Sequence, residues 1–560
     1  MRPLRRVVFV LLWVVFVPLL GQLFRIQILQ HRQLQQESLR NFVKVLTLIP
    51  SRGTIYDRNG IPLAHYRPGF KVSIVPERVG PAEWDTLRRL LHLEIPRDSL
   101  RGVGFITLKS DLSLETVTAL EERADLLSWV IVSPTLIRYY PYGQAFFHPV
   151  GYIGRVNRRE VEAGGYSPDD FVGRMGLEKA YEDSLHGTPG LRFVAVDARG
   201  RLTRLDPRPP IPPQSGNDLI TTLDAPLQLA VDSLVPDTMQ AAVVMLDLRT
   251  GDVLVLYAHP AVDPNWFVTG IPFALWDSIR TAPTHPLLNR AVAGRYPPGS
   301  TLKPLVALMA LDLHLVTPNE RLVNCTGRFP FGNRVWLCWL KTGHGRVNLY
   351  DAIAHSCDVY FYALGLKIGL RRFLTLLNDL PLRGPWLHLP EARSGFVPTY
   401  GWYRKAYGPY GVTEGLVLNL AIGQGELSLT PLEVATLTGL IARRGQMPAP
   451  HLLKDPPKLD TLRLPFAPEF YDVIHRAMRQ VVTRGTAPLA DIPEITVAGK
   501  TGTAQNPHGE DHAWFVAFAP YEEPEVALAV LVEHGGHGGS TAAPLAAEIL
   551  KRYARRRPMP

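Results

Sequence analysis

The sequence predicts an α+β protein whose larger, C-terminal part is an antiparallel sheet flanked by helices. Three observations predict it. Two apolar runs, 242–247 and 253–257, sit either side of Arg249-Thr250-Gly251-Asp252, which reads as a hairpin. Three more strand-like runs, 495–504, 513–518 and 526–532, lie near the other end. The stretch between carries helical patterns, so the sheet must join distant parts of the chain, unlike an array in which strand and helix alternate.

The chain has 560 residues, which suggests two to four domains, and 46% hydrophobic against 20% charged residues allows a large core. A net charge of +9 fits surroundings of anionic lipid or cell-wall polymer. No constellation of basic and aromatic residues points to nucleic acid, so none is expected as a partner. Residues 1–6 hold Arg2, Arg5 and Arg6, and an apolar run follows from 7 to 20 and continues to 24. That length is near the lower limit for a membrane-spanning helix. A cleaved signal peptide is the rival, but no Ala-x-Ala site follows. The expectation is a cytoplasmic tail over 1–6, one transmembrane helix over 7–27, and all later residues on the outer, periplasmic side.

The Gln-, Arg- and Leu-rich stretch 27–46 predicts a helix leading outward. Residues 50–64 predict a β-hairpin closed by Asn59-Gly60 as a two-residue turn. From about 80 to 160, helical and extended patterns alternate without chemical motifs, and 173–182 reads as a helix with a glycine entry. The Pro-rich 207–216 marks a linker. A short strand is expected over 218–224, a helix over 225–234 and a closing helix over 540–555. The domain division is therefore 28–215 and 216–560.

The chemistry centres on Tyr296-Pro297-Pro298-Gly299-Ser300-Thr301-Leu302-Lys303. A Pro-Gly turn runs into an apolar segment, 304–315, that reads as a helix. Ser300 falls in its first turn, where unpaired N–H groups favour negative charge. Lys303, three residues on, can share a helix face with the hydroxyl, and a desolvated lysine can take its proton. Later, Ala354-His355-Ser356-Cys357-Asp358 pairs a second serine with an acid. Ala498-Gly499-Lys500-Thr501-Gly502-Thr503-Ala504 carries Lys-Thr-Gly-Thr on a predicted strand. Gly499-Lys500-Thr501 could end a phosphate-binding loop, but that motif needs a glycine where Glu494 stands.

Ser-x-x-Lys, Ser-x-Asn and Lys-Thr-Gly in that order are the signature of penicillin-binding proteins and serine β-lactamases, and this chain resembles them. Asp358 stands where the pattern has Asn. The 52–60 segment, Arg-Gly-Thr-Ile-Tyr-Asp-Arg-Asn-Gly, and the 173–182 segment resemble the non-catalytic pedestal of the class B members, with 80–160 as its inserted head. No acidic motif of a glycan-polymerising domain is present. Ser-x-Asp and the run 346–353 are similar to the elongation-type enzymes, the division-type being the runner-up.

The resemblance implies a D,D-transpeptidase that cross-links peptidoglycan stem peptides and is acylated by β-lactams. It implies Ser300 as nucleophile, Lys303 as base, Ser356 as proton relay, and Asp358 as the group that orients Lys303 and receives the substrate's amide. Lys500, Thr501, Gly502 and Thr503 would form the binding strand for the terminal carboxylate, with the N–H groups of Ser300 and Thr503 as oxyanion hole. An ionised Asp358 cannot donate a hydrogen bond as Asn would. Chemistry of this kind needs no cofactor. The implied partners are a polytopic membrane glycosyltransferase of the shape, elongation, division and sporulation family and the elongation machinery. A D,D-carboxypeptidase, a β-lactamase or a β-lactam sensor would use the same residues.

The three cysteines, Cys325, Cys338 and Cys357, lie in one interval with His344. Three thiolates and an imidazole suit a structural zinc, and the resemblance to the elongation-type enzymes implies a metal there, with His344, Cys357 and Cys338 as matching positions. A Cys325–Cys338 disulfide or separate buried thiols are the alternatives. A metal would brace the catalytic loop, because Cys357 stands between Ser356 and Asp358. His534 and His537 fall in a glycine-rich loop at the surface, and 423–431 resembles a turn of the family near the site.

Overall fold

The computed structural model describes residues 2–30, 43–74, 79–93, 106–127, 129–167, 170–196, 202–205, 209–384, 386–408, 410–456, 458–507 and 509–557. Arg2–Phe24 is helical and is followed by a wider turn over Arg25–Leu29. Among the described residues no helix is long and apolar enough to cross a membrane. The helix expected over 27–46 falls partly outside the described residues. Its end is corrected, because Val43–Leu48 is a strand paired antiparallel with Gly190–Val196. That pairing outweighs a helix-prone composition.

The 50–64 segment does form a hairpin, between Ile55–Tyr56 and Pro62–Ile74. Its turn is not the two-residue type expected. Gly60 alone is left-handed there (φ +85°), and the Asp57 carboxylate accepts from the N–H groups of Asn59 at 2.7 Å and Ile61 at 2.8 Å. Pro62–Ile74 continues into the head, where Ile106–Ser110 and Val130–Tyr139 flank it. The head has its own small core around Val72, Trp84, Leu87 and Trp129. Residues 209–216 of the proline-rich stretch lie against the pedestal. Ile211 and Leu191 exchange backbone hydrogen bonds, as do Gln214 and Thr188.

The two segments resembling the family's pedestal meet through charge. Buried Glu178 accepts from Arg52 Nη2 at 3.0 Å, Arg138 Nε at 2.8 Å and Tyr140 OH at 3.0 Å. Arg52 also holds Glu182 at 2.8 Å. A carboxylate without water is tolerated only with such partners. They outweigh the burial that would otherwise raise the Glu178 carboxyl, and hold it below its ordinary value.

In the C-terminal part, strands β1 (Gln240–Asp247), β2 (Val253–His259), β3 (Ala498–Ala504), β4 (His512–Ala519) and β5 (Val526–Glu533) form one antiparallel sheet in the order β2-β1-β5-β4-β3. β1, β2, β4 and β5 are apolar almost throughout because both faces are covered. Helix α3 (Pro431–Ala442) packs on β1, β4 and β5, α4 (Pro468–Thr483) on β3, and α5 (Ala542–Ala554) on β4 and β5. α3 starts on a capping box, Thr430 with Glu433, and is buried all round. Strand β3 is left at the edge of the sheet, open to whatever lies beside it. Beside it stands the turn Gly299–Leu302, which leads into α1 (Lys303–Asp312), and α1 packs on α2 (Asp358–Ile368).

Candidate active site

The turn that carries Ser300 differs in detail from the expected helix. Gly299–Leu302 is a single 3₁₀ turn, and α1 begins at Lys303 with Pro304 in its first turn, where a missing N–H costs nothing. Ser300 sits half-buried on that turn. Lys303 is fully buried. Its Nζ donates to Asp358 Oδ1 at 2.7 Å, to the Ser356 carbonyl at 2.9 Å and to Ser356 Oγ at 3.2 Å, and it faces the Phe361 ring at 5.2 Å. Ser356 reaches both contacts because its backbone is left-handed (φ +54°), breaking the chain between Leu349–Ala354 and α2. Such a conformation costs a non-glycine residue about 1–3 kcal/mol. Asp358 Oδ2 accepts from the backbone N–H of Trp339 at 2.9 Å, so both of its oxygens are engaged.

Lys500-Thr501-Gly502-Thr503 lies on edge strand β3. Lys500 is fully buried, its Nζ on the Thr501 carbonyl at 2.9 Å. Burial, aided by the nearby Lys303 charge, pushes the Lys500 amine well below its ordinary value. Thr501 Oγ1 contacts Thr486 Oγ1 at 2.6 Å, and the Gln424 side-chain amide donates to the Thr503 carbonyl at 3.1 Å. Gly423 is left-handed (φ +71°), its N–H-flanked backbone pressed on Gly299. A Cβ there would lie 2.1 Å from the Gly299 carbonyl oxygen. The glycine turn at 423 thus abuts the Ser300 turn on one side, and Gln424 abuts β3 on the other.

The structure brings Lys303, Ser356 and Asp358 into direct contact, with Ser300 and the 500–503 strand beside them. The sequence reasoning did not single out Trp339, Gln424, Thr486 or Phe361. Gln424 stood in a segment already read as a turn near the site, whereas Trp339 reaches Asp358 through its backbone N–H, its indole Nε1 donating to the His355 carbonyl at 3.0 Å. Cys325, Cys338, His344 and Cys357 also converge, their ligand atoms all within 4.8 Å of one another. All three cysteines are buried free thiols, so the Cys325–Cys338 disulfide is not formed. His344 Nδ1 faces Cys338 Sγ at 3.5 Å and Cys325 Sγ at 3.7 Å. A hydrogen bond between Cys338 and Cys357 pulls the first thiol down and pushes the second up. His534 and His512 lie together at the end of the cleft strands, the His534 N–H on His512 Nδ1 at 3.2 Å.

A covalent-chemistry centre of serine and lysine beside the edge strand of such a sheet defines a serine acyltransferase. The family model for the penicillin binding protein transpeptidase domain matches residues 241–551, and that for the penicillin-binding protein dimerisation domain matches 47–221. The chain belongs to the penicillin-binding protein transpeptidase family, with the dimerisation domain of its class B members. It is 33% identical to the peptidoglycan D,D-transpeptidase MrdA of Escherichia coli over 93% of this chain and 89% of that one. It is 32% identical to the same-named protein of Acinetobacter baumannii, over 92% and 82%. Among solved structures, a complex between a penicillin-binding protein (PBP2) and MreC from Helicobacter pylori matches with a TM-score of 0.80 and 29% identity, over 92% of this chain and 99% of that one. Pseudomonas aeruginosa PBP2 in complex with WCK 5153 matches at 0.70 and 31%, over 91% and 96%.

Proposed function

We infer that the chain is a peptidoglycan D,D-transpeptidase of the elongation type, and that Ser300 carries the acyl group. The observation that supports this best is the fully buried Lys303, held by Ser356 and Asp358 one helical turn after Ser300. Ser300 Oγ attacks the carbonyl of the penultimate D-Ala and Lys303 takes its proton. Ser356, hydrogen-bonded to that amine, relays the proton to the departing D-Ala nitrogen. Asp358 fixes the amine and stabilises the ammonium that forms, and its second oxygen, steadied by Trp339, keeps a free lone pair for a substrate amide. The Ser300 and Thr503 N–H groups hold the oxyanion. Lys500, Thr501 and Thr503 hold the terminal carboxylate, whose charge offsets the burial that discourages a charged Lys500. An acceptor amine then attacks the acyl-enzyme and restores Ser300. A β-lactam acylates the same oxygen. Product analysis with a stem-peptide donor and an acceptor amine tests this: cross-linked dimer is expected, and D-Ala release with no dimer would overturn it in favour of a carboxypeptidase.

The same reading places residues 1–6 in the cytoplasm, the anchor at 7–27, the pedestal over 28–215 and the transpeptidase domain over 216–560. The exposed apolar run that includes Trp13, Phe16, Leu20 and Phe24, after three arginines, supports the anchor. Its failure to pellet with membranes would contradict it. The pedestal docks a polytopic glycosyltransferase and the elongation machinery. The MreC complex of the Helicobacter pylori protein and a similar structure described as a peptidoglycan synthase complex support this partner class. Cys325, Cys338, His344 and Cys357 fit zinc, being four soft or borderline donors of which none is bridged. Zinc would neutralise the clustered thiols and fix the segments on both sides of Asp358. Elemental analysis of purified protein should give about one zinc per chain, and none would remove it from the account.

A further inference from the structure

A rigid aromatic face stands next to the catalytic cleft without a role in the chemistry. It is carried by the helix Tyr400–Tyr407. Trp402 is 36% exposed and Tyr407 49%, unusual for rings so firmly held. Tyr407 OH donates to Glu426 Oε1, and fully buried Tyr403 donates to Glu426 Oε2 at 2.6 Å. The Tyr403 and Tyr407 rings stack at 5.9 Å, and Trp402 meets Tyr407 edge-on at 6.3 Å. Phe396 packs against the other side of Trp402 at 5.2 Å. Exposed rings normally keep their freedom, and here hydrogen bonds and packing remove it before any ligand arrives.

The face is tied to the active site through the backbone. Glu426 is two residues from Gln424, whose amide sits on the Thr503 carbonyl at 3.1 Å. Phe396 pairs with Ser428, and the next residue, Leu429, pairs with Tyr296, four residues before Ser300. The aromatic face and the nucleophile therefore hang on one backbone ladder. A stem peptide bound along edge strand β3 is covalently attached to its glycan strand, so the sugars lie outside the cleft and within a peptide's length of it.

We propose that Trp402 and Tyr407 form a platform for an N-acetylated amino sugar of the glycan strand that bears the stem peptide. The proposal rests on the transpeptidase reading above and names a subsite for its substrate. A pyranose has an apolar C–H face and a polar rim. Trp and Tyr offer a flat apolar surface with a polar edge of matching kind. Both Glu426 oxygens already hold a tyrosine hydroxyl, so that carboxylate orients the rings and leaves them as the contact surface.

The test compares two donor substrates, uncross-linked glycan chains carrying stem peptides and the free stem pentapeptide. In Trp402→Ala, the ratio of kcat/KM for the glycan-bearing over the sugar-free donor should fall about tenfold, the scale of one lost aromatic contact. Trp402→Tyr should recover most of it. An unchanged ratio, or an equal loss on both donors, overturns the platform, the second outcome marking a peptide-binding or merely structural ring. Should the alanine variant not fold, peptide-free glycan chains are titrated against the wild-type full-length protein. Saturable binding that is weakened in Tyr407→Ala supports the platform, and no binding, or binding unchanged in Tyr407→Ala, overturns it. Wild-type reaction with benzylpenicillin, which has no sugar, is followed alongside. Its failure would overturn the underlying transpeptidase reading and not the platform alone.

Discussion

Replacing Glu178 by Gln should unfold the pedestal's polar core without touching the chemistry. The carboxylate is completely buried and takes hydrogen bonds from two guanidinium groups and one phenol. Arg52 keeps Glu182 as a partner in the variant, whereas Arg138, with a side chain 0% exposed, keeps the Gly53 carbonyl at 2.8 Å and the face of the Tyr66 ring at 5.5 Å but no acid among the described residues. Gln supplies one acceptor oxygen and turns an amide donor toward a second donor. Removing one partner of a buried ion pair costs about 3–5 kcal/mol, because the charge left behind stays desolvated. Urea unfolding of purified protein, followed by tyrosine and tryptophan fluorescence, should show a loss of that size. Acylation by benzylpenicillin under native conditions should keep its rate. A loss below about 1 kcal/mol would refute the reasoning, since it would mean that water reaches and solvates Arg138.

Further outcomes follow from the site. Asp358→Ala removes the carboxylate from Lys303 and the acceptor from the Trp339 N–H, so benzylpenicillin acylation should slow at least about a hundredfold with the circular dichroism spectrum retained. A wild-type rate would contradict Asp358's placement in the chemistry. Gly423→Ala puts a Cβ 2.1 Å from the Gly299 carbonyl oxygen at φ +71°, which should cost about 1–3 kcal/mol and displace the nucleophile's turn. Stopped-flow acylation by a fluorescent penicillin should fall about tenfold or more, and an unaltered rate would show that the turn is soft. Lys500 holds a carboxylate only when protonated, and its folded value is depressed. Donor binding should be intact below that depressed value and weaken as pH rises through it, at a pH under the ordinary lysine 10.5. An alkaline limb in 1/KM at or above 10.5 would contradict the buried placement.

The three motifs were legible because each carries its chemistry within a few residues, and the apolar strands because burial on both faces demands continuous hydrophobic runs. What was illegible depends on pairings between distant segments. Arg52 and Glu178, 126 residues apart, read as a hairpin charge and a helix charge until they meet. The strand at Val43–Leu48 was hidden in a helix-prone stretch and exists because Gly190–Val196 pairs with it. Asn59 reads as a left-handed turn residue, but the Asp57 side chain supplies the hydrogen bonds that close the turn another way. Trp339 contributes a backbone N–H that any residue but proline could offer. The cysteines were visible as a set, and only the fold decided between a bridge and a converging cluster.

The central claim is that Ser300 is the nucleophile activated through Lys303. Intact-mass analysis after incubation with benzylpenicillin tests it most directly, on wild type and Ser300→Ala side by side. The account predicts a single penicilloyl adduct on wild type and none on Ser300→Ala. An adduct of the same stoichiometry on Ser300→Ala would contradict it and place the acyl group on another residue.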